Sequence, residues 1–154
     1  QAVIYDPMRD ELFTASKGVG AQLDSRKIRV SRCRKLEHSL LATGFPVRDP
    51  ATLNKYLPSL TAFMPLTSGI RRAGAAALDL AYVACGRIDG FWEYGLQPWD
   101  IAAGALIVQE AGGIVSTPER NDDFLNTVNV LAATPAIHDM MSLTISNAAR
   151  QTTK

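Results

Sequence analysis

The sequence predicts an α/β protein in which sheets are layered against helices. Up to residue 31, short apolar segments separated by turns are typical of an antiparallel meander. After residue 31, apolar strands alternate with helical patterns, which favours a parallel or mixed sheet with helices on its faces. A third observation is the segment 101–111, where only Gln109 and Glu110 are strongly polar. Nearly every face of that helix should therefore be covered by protein.

Composition is that of an ordinary globular domain. The 154 residues are 47% hydrophobic and 20% charged, and the net charge of +1 gives no electrostatic argument for binding nucleic acid or an acidic membrane. No segment predicts a membrane span or a signal peptide, and Cys33 and Cys85 fit neither a zinc site nor a disulfide framework. We therefore expect a cytoplasmic protein with two reduced thiols. One cluster of basic residues is interpreted as a solvated edge: Arg26, Lys27, Arg29, Arg32, Arg34 and Lys35.

The first 31 residues should form one meander. Strand patterns lie at 2–5, 11–16, 21–23 and 27–31, the last from the alternation of Ile28 and Val30 with polar residues. One face of this meander should be exposed to solvent. Helices that would cover the other face are not evident in the chain. Because the chain starts at Gln1, already inside a strand pattern and without a methionine, we expect it to be part of a longer polypeptide.

The remaining elements alternate along the chain. Strands are predicted at 39–43, 69–72, 88–94, 114–116 and 128–133, and helices at 75–84, at 100–111, from residue 50 and from residue 135. Asp49 and Pro50 form a favourable helix start, and Pro58 should kink or shorten the helix that follows.

Three positions are candidates for a ligand site, because ligands of such sheets gather where strands end and helices begin. The turn at Gly74, Ala75 and Ala76 joins a strand to a helix, Glu93 ends a strand, and Asp100 starts the central helix. A buried helix start at Asp100 needs hydrogen-bond donors or a cation to stabilise its carboxylate.

Plainer interpretations stay open for these positions. Asp100 could serve only as a helix cap, and Gly74 could serve only tight packing of helix on sheet. Asp79 is interpreted as a buried polar contact without a catalytic role. His38 and His138 lie near predicted surface ends with no nucleophile pattern around them, so neither is assigned a function.

Several motifs in the right order resemble one known family. Residues 99–104 (WDIAAG) and 108–113 (VQEAGG) resemble the carboxyl-terminal signature of the inositol monophosphatase family, and the resemblance extends to residues 5–7, 11–15, 18–21 and 71–94. The sequence is most similar to the bacterial SuhB-like branch of that family. The implied fold is an αβαβα sandwich, here an incomplete copy without its amino-terminal half. Residues 1–31 would be strands in the sheet of that half, and residues 32–150 the carboxyl-terminal domain of alternating strands and helices.

The resemblance implies a magnesium-dependent, lithium-sensitive phosphatase of inositol monophosphate or a related polyol phosphate, usually a homodimer. Asp100 resembles the carboxylate that binds a catalytic metal and touches a substrate hydroxyl. Glu93 resembles the acid that hydrogen-bonds the sugar or inositol ring. Gly74, Ala75 and Ala76 resemble the backbone segment that lines the substrate. Relatives often carry a hydroxyl residue at the position of Ala75, so only main-chain contacts are expected here.

The chain also departs from the family pattern. The other metal ligands of the family lie in an upstream glutamate and a D-P-[IL]-D-G-T segment, and this sequence contains no such segment. Magnesium catalysis usually needs more than one carboxylate, so the chain alone should not turn over substrate. Two other roles implied by the superfamily stay open. One is a regulatory protein that binds the transcription machinery, and the other is a phosphatase of fructose bisphosphate or a nucleotide phosphate.

Overall fold

The computed structural model describes residues 1–46 and 49–152, and the chain opens with an antiparallel sheet. Its strands follow one another in the order β1-β2-β3-β4. Their bounds are β1 Ala2–Asp6, β2 Glu11–Ser16, β3 Gly20–Leu23 and β4 Arg26–Lys27. In the register of the first pair, Ile4 lies opposite Phe13 and Ala2 opposite Ala15, so these apolar side chains share one face.

The second sheet has five strands and is mixed, as the alternation of strands and helices predicts. Its bounds are β5 Leu40–Thr43, β6 Gly69–Arg71, β7 Gly90–Glu93, β8 Ile114–Ser116 and β9 Val130–Ala133. The strand order is β6-β5-β7-β9-β8. Strand β5 runs parallel to β6 and β7, whereas β9 is antiparallel to β7 and β8. The carboxyl ends of β5, β6 and β7 therefore meet at one edge.

Helices and sheets alternate in four layers. The helices are α1 Pro50–Phe63, α2 Ala76–Ala84, α3 Pro98–Glu110, α4 Phe124–Thr127 and α5 Pro135–Thr152, with a 3-10 turn at Leu36–His38. Helices α2 and α3 pack against each other between the two sheets, and α1 packs with α5 on the far side of the second sheet. These are four consecutive layers of the αβαβα sandwich that the resemblance implies.

The expectation that the chain lacks helices to cover the meander is wrong. Ile4, Phe13 and Ala21 are buried in a single core with residues of α2 and α3. The covering helices lie far along the chain, and local periodicity carries no information about which distant element packs on a given face. The opposite face of this sheet is exposed, with Val3 and Tyr5 on β1.

The predicted strand through Ile28 and Val30 is also wrong. Strand β4 ends at Lys27, and the Ile28 N–H still donates to the Ala21 carbonyl of β3 at 3.0 Å. The chain then runs to the end of α3, where the Val30 N–H donates to the Ala111 carbonyl at 3.2 Å. The short helix α4 was not predicted either, and β9 starts at Val130 rather than Val128.

The predicted start of α1 and the predicted free thiols are confirmed. The Asp49 carboxylate caps α1 by accepting from the N–H groups of Ala51 and Thr52. Helix α1 is not shortened at Pro58, which was one of the two predicted effects of this proline, because it continues to Phe63. Both cysteines are free. Among the described residues, no helix is long and apolar enough to cross a bilayer.

The contact between α2 and α3 depends on a glycine. A Cβ atom at Gly104 would lie 2.5 Å from the Cβ of Leu80, closer than packed carbon atoms allow. We predict that Gly104→Ala lowers the free energy of unfolding by about 1–3 kcal/mol through overpacking, although alanine is the better helix former. Urea denaturation measures the effect.

The matched control is Gly69→Ala on β6, where the nearest atom to a new Cβ, Leu40 Cδ1, is at an ordinary 3.5 Å. Its stability should stay within about 1 kcal/mol of wild type. Equal stability of both variants would contradict the packing argument.

Candidate functional site

A cleft opens at the edge where the parallel strands end. It has a volume of about 450 Å³ and is lined by Phe45, Pro46, Asp49, Thr52, Arg72, Glu93, Tyr94 and Gly95. Ligand sites of such sheets lie outside the carboxyl ends of the strands, and this cleft has that position. A larger groove of about 700 Å³ lies between α1 and α5, and the described residues that line it carry apolar, hydroxyl or amide side chains, none of which is ionisable. The cleft, which contains Asp49, Arg72 and Glu93, is therefore the better candidate for a functional site.

Glu93, the last residue of β7, projects its carboxyl group over the backbone of Gly44. A Cβ atom at Gly44 would lie 1.9 Å from Glu93 Oε1, so only glycine leaves room for the carboxyl group there. Burial raises the pKa of Glu93 to about 7, with further upward contributions from the charges of Asp79 and Asp100 and an opposing one from Arg72. Glu93 is thus poised to exchange a proton near neutral pH.

Asp79 lies on α2 with only 3% of its surface exposed. Burial raises its pKa to about 6, and the positive charge of Arg72 opposes that rise. Its carboxylate has no hydrogen-bond or ion-pair partner among the residues that the structure describes. The expected burial is confirmed, whereas the expected polar contact is not found among the described residues. The charge of Asp79 contributes to the raised pKa of Glu93. Asp79 follows Ala76 by three residues and Ala75 by four, so helical spacing places all three on one face of α2. This spacing is the sequence signal that could have linked Asp79 to the candidate site.

Asp100 is the third residue of α3 and is half-buried. Its Oδ2 accepts from the Gln97 N–H at 3.0 Å, which makes it one half of a capping box. The prediction that Asp100 starts the helix is wrong by two residues, because Pro98 occupies the first helical position and Gln97 is the N-cap. In the described part of the chain, Oδ1 of Asp100 accepts no hydrogen bond and remains available to a ligand.

The turn at Gly74, Ala75 and Ala76 borders the same region. Gly74 has φ of +95°, which favours glycine, and the Arg72 guanidinium lies over it, since a Cβ there would be 2.6 Å from Arg72 Nη1. Ala75 is the N-cap of α2 and offers no side-chain acceptor. The first N–H groups of α2 therefore have no side-chain cap, which suits main-chain contacts to a ligand.

Comparison with known proteins agrees with the fold and the motifs. The model of the inositol monophosphatase family matches residues 1–151. The chain belongs to this family. The Nus factor SuhB of Pseudomonas aeruginosa is 55% identical over 133 residues, which are 85% of this chain and 49% of that protein. These similarities place the chain in the SuhB-like branch.

Two solved structures of the family share its fold. The extragenic suppressor protein suhB of Bartonella henselae superposes with a TM-score of 0.89 at 48% identity, covering 93% of this chain and 55% of that one. The inositol monophosphatase of Anabaena (Nostoc) gives a TM-score of 0.90 at 43% identity, with 94% and 57% covered. The chain thus spans about half the length of the relatives that it matches.

The family uses magnesium, and the residues present here do not complete a site for it. Among the described residues, no group of three or more histidine, cysteine, aspartate or glutamate side chains could hold a metal ion. Asp100 provides one carboxylate with a free oxygen, whereas Mg²⁺ takes near-octahedral oxygen coordination.

His138 is buried, which corrects the prediction that it lies near the surface. It has 3% of its surface exposed, and its Nε2 lies 2.9 Å from Ser116 Oγ, away from the cleft. Burial lowers the pKa of His138, so the neutral ring is favoured. His38 is exposed as expected.

We predict that Glu93→Gln becomes more stable relative to wild type as pH rises. The pKa of Glu93 is about 7 in the folded chain against 4.5 ordinarily, so the folded state binds the extra proton between these values. Wild type therefore loses stability as pH rises through this window, and glutamine does not. The stability difference should grow by on the order of 1–3 kcal/mol between pH 4.5 and 7 and stay constant above.

Urea denaturation at pH 5, 6, 7 and 8 measures that difference. Glu37→Gln, an exposed change in the 3-10 turn, is the control and should stay within about 0.5 kcal/mol of wild type at each pH. A pH-independent difference for Glu93→Gln would show that Glu93 titrates like an exposed glutamate.

Proposed function

We propose that the chain forms the carboxyl-terminal part of a cytoplasmic, magnesium-dependent phosphomonoesterase. Its substrate would be inositol monophosphate or a related sugar or polyol phosphate, hydrolysed to the alcohol and phosphate. One observation carries the proposal: Glu93 ends β7 and Asp100 lies in the first turn of α3, close enough for the charge of Asp100 to contribute to the raised pKa of Glu93. Family membership supports a phosphatase, and this pair of carboxylates supports a hydroxyl-bearing substrate.

Each predicted site residue receives a role in this proposal. Glu93 lines the cleft and hydrogen-bonds a hydroxyl of the polyol. The N–H groups at Gly74, Ala75 and Ala76 provide main-chain contacts. Asp100 touches a substrate hydroxyl and contributes its free oxygen as one ligand of magnesium, while the remaining ligands come from residues outside this chain. Lithium sensitivity is part of the proposal by family resemblance.

The proposal extends to the organisation of the whole protein. Strand β1 pairs only with β2 among the described residues, and its outer face exposes Val3 and Tyr5. An unpaired edge beside exposed apolar side chains suits further strands and helices. Residues 1–31 would thus lie in the sheet of an amino-terminal half, with residues 32–150 as the carboxyl-terminal domain. A homodimer is proposed on family resemblance alone.

A second candidate role is regulatory. The relative from Pseudomonas aeruginosa is named a Nus factor and is 55% identical over 133 residues. We therefore also propose that the full-length protein binds components of the transcription machinery. Catalysis and binding are compatible, because the cleft occupies a small part of the surface.

We predict that purified residues 1–154 release no phosphate from inositol monophosphate above background when magnesium is added. A single available carboxylate does not assemble a magnesium site. Phosphate release is measured with and without Mg²⁺, beside a full-length relative as positive control. Turnover that copurifies with the chain and disappears in Asp100→Asn would contradict the prediction.

We predict that Asp100→Asn in the full-length protein lowers kcat/KM by about 10²-fold or more, because a charge is lost where metal and substrate meet. Asparagine can still accept from the Gln97 N–H, so the melting temperature should change little. Phosphatase rate, melting temperature and partner affinity are measured on one preparation.

Asp123→Asn is the matched control, since Asp123 is the N-cap of the short helix α4 and lies outside the cleft. The turnover rate of Asp123→Asn should equal that of wild type. A normal rate in Asp100→Asn would leave Asp100 with a capping role only.

A further inference from the structure

His138 is a buried titratable group that the roles proposed above do not use. It lies on α5, and its Nε2 is 2.9 Å from the Oγ of Ser116, the last residue of β8. The Ser116 hydroxyl also lies 2.6 Å from the Thr117 carbonyl oxygen, to which it donates. Ser116 therefore accepts from the ring, and the single N–H of the neutral His138 ring is on Nε2.

The other ring nitrogen of His138 is suited only to the neutral ring. Nδ1 is buried and has no hydrogen-bond partner among the described residues. Protonation would put an N–H and a positive charge at Nδ1, where no acceptor among those residues compensates them. A charged ring is therefore unfavourable at this position on geometry alone.

Two charged groups act on His138, and they form an ion pair with each other. Burial has the largest effect on the pKa of His138 and lowers it. Asp139 on the same helix opposes that lowering, and Arg120 adds to it. Because Arg120 pairs with Asp139, the effects of their charges on the ring largely offset each other.

The ionisable groups on other elements that pack around α5 are engaged elsewhere. The 3-10 turn contacts α5, but its Glu37 is exposed and pairs with Lys35 and His38. Strands β8 and β9 carry no ionisable side chain. On α1, Lys55 forms an ion pair outside the His138 contact. Within the described chain, these elements provide no charge that would stabilise a protonated His138.

Strand β8 continues into a turn, residues 117–121, that is tied to both helices of the outer layer. The Ser142 hydroxyl of α5 donates to the Pro118 carbonyl at 3.1 Å. On the other side, the ammonium group of Lys55 on α1 lies 2.7 Å from the Glu119 carboxylate. The turn therefore connects α5 to α1, and a loss of its contact with α5 would also act on α1.

We propose that His138 is a proton-sensitive latch on the turn 117–121. Its neutral ring holds the turn on α5, and a proton taken up from solvent at Nδ1 in mildly acidic solution releases the turn and weakens the contact between Lys55 and Glu119. Lys55 also lies 5.2 Å from the ring centre of Tyr94, which lines the cleft, so release of the turn acts on one wall of the cleft. The latch does not depend on the proposed function.

The latch gives stability a pH dependence of defined sign. In the folded chain the pKa of His138 is lowered from 6.5, so the unfolded chain takes up the proton first as pH falls. The contribution of His138 to stability is therefore fully present well above pH 6.5 and is lost below it. Through this contribution, the unfolding equilibrium constant should rise by up to about tenfold per pH unit below pH 6.5.

Urea denaturation of wild type and His138→Gln between pH 7.5 and pH 5 tests this sign. Glutamine keeps an N–H donor for Ser116 but does not titrate, and both chains carry Glu93, so the titration of Glu93 cancels in the comparison. The ratio of the wild-type unfolding constant to that of the variant should grow on the order of tenfold over this range. His38→Gln, an exposed change, should keep a constant ratio to wild type.

NMR and amide hydrogen exchange test the release of the turn itself. The chain has two histidines, so His38→Gln leaves the ring signal of His138 alone. The His138 midpoint should lie below 6.5. The Thr117 and Arg120 amides, whose hydrogen bonds close the turn, should lose protection with the same midpoint after correction for intrinsic exchange rates. Amides of β1 and β2 should keep their protection.

Three results would overturn the proposal. The first is a ratio of unfolding constants that stays the same at every pH. The second is a His138 ring that titrates while the turn keeps its protection. The third is a loss of protection in β1 and β2 at the same midpoint, which would show global unfolding. If His138→Gln fails to fold, ring titration and amide exchange in the chain that retains His138 still decide among these outcomes.

Discussion

Helices α2 and α3 lie against each other between the two sheets because Gly104 lets Leu80 approach the α3 backbone. This contact brings two helices into the space where each sheet needs an apolar partner. The first sheet places Ile4 and Phe13 on them, and the second places Phe91 and Ala132. One continuous core therefore joins sheet, helix pair and sheet, and a second cluster holds α1 and α5 on the far face of the second sheet.

The same packing assembles the candidate site. Helix α2 begins at Ala76 and α3 at Pro98, and β7 ends at Glu93 beside them. With the two helices fixed between the sheets, three carboxylates from three different elements act within one region. They are Asp79, Glu93 and Asp100. Burial and mutual repulsion make this arrangement unfavourable for the chain alone, so it is a property expected of a site that binds a ligand.

Stability and the proposed function therefore favour different residue types at position 79 of α2. An apolar residue at position 79 would suit the core, since Leu80, Ala81 and Val83 beside it are all buried. The chain instead carries a carboxylate there, and the guanidinium of Arg72, which forms no ion pair among the described residues, opposes the rise of its pKa. Gly44, which has no Cβ atom, leaves the space that the Glu93 carboxyl group occupies.

Much of this protein could be predicted from local sequence. The strand and helix periods, the helix start at Asp49 and Pro50, and the motifs around Glu93 and Asp100 predicted the mixed sheet, the family and two carboxylates of one region. These features are local, because the periodicity of apolar residues, helix capping and turn formation each depend on a few neighbouring residues.

Tertiary structure decided the rest. It determined that α2 and α3 cover the meander, that the chain leaves the first sheet after Ile28, and that His138 is buried. Burial of a polar group and the partner of a sheet face depend on elements separated by as many as 100 residues. No local pattern encodes such a pairing, since it arises only when the whole core closes.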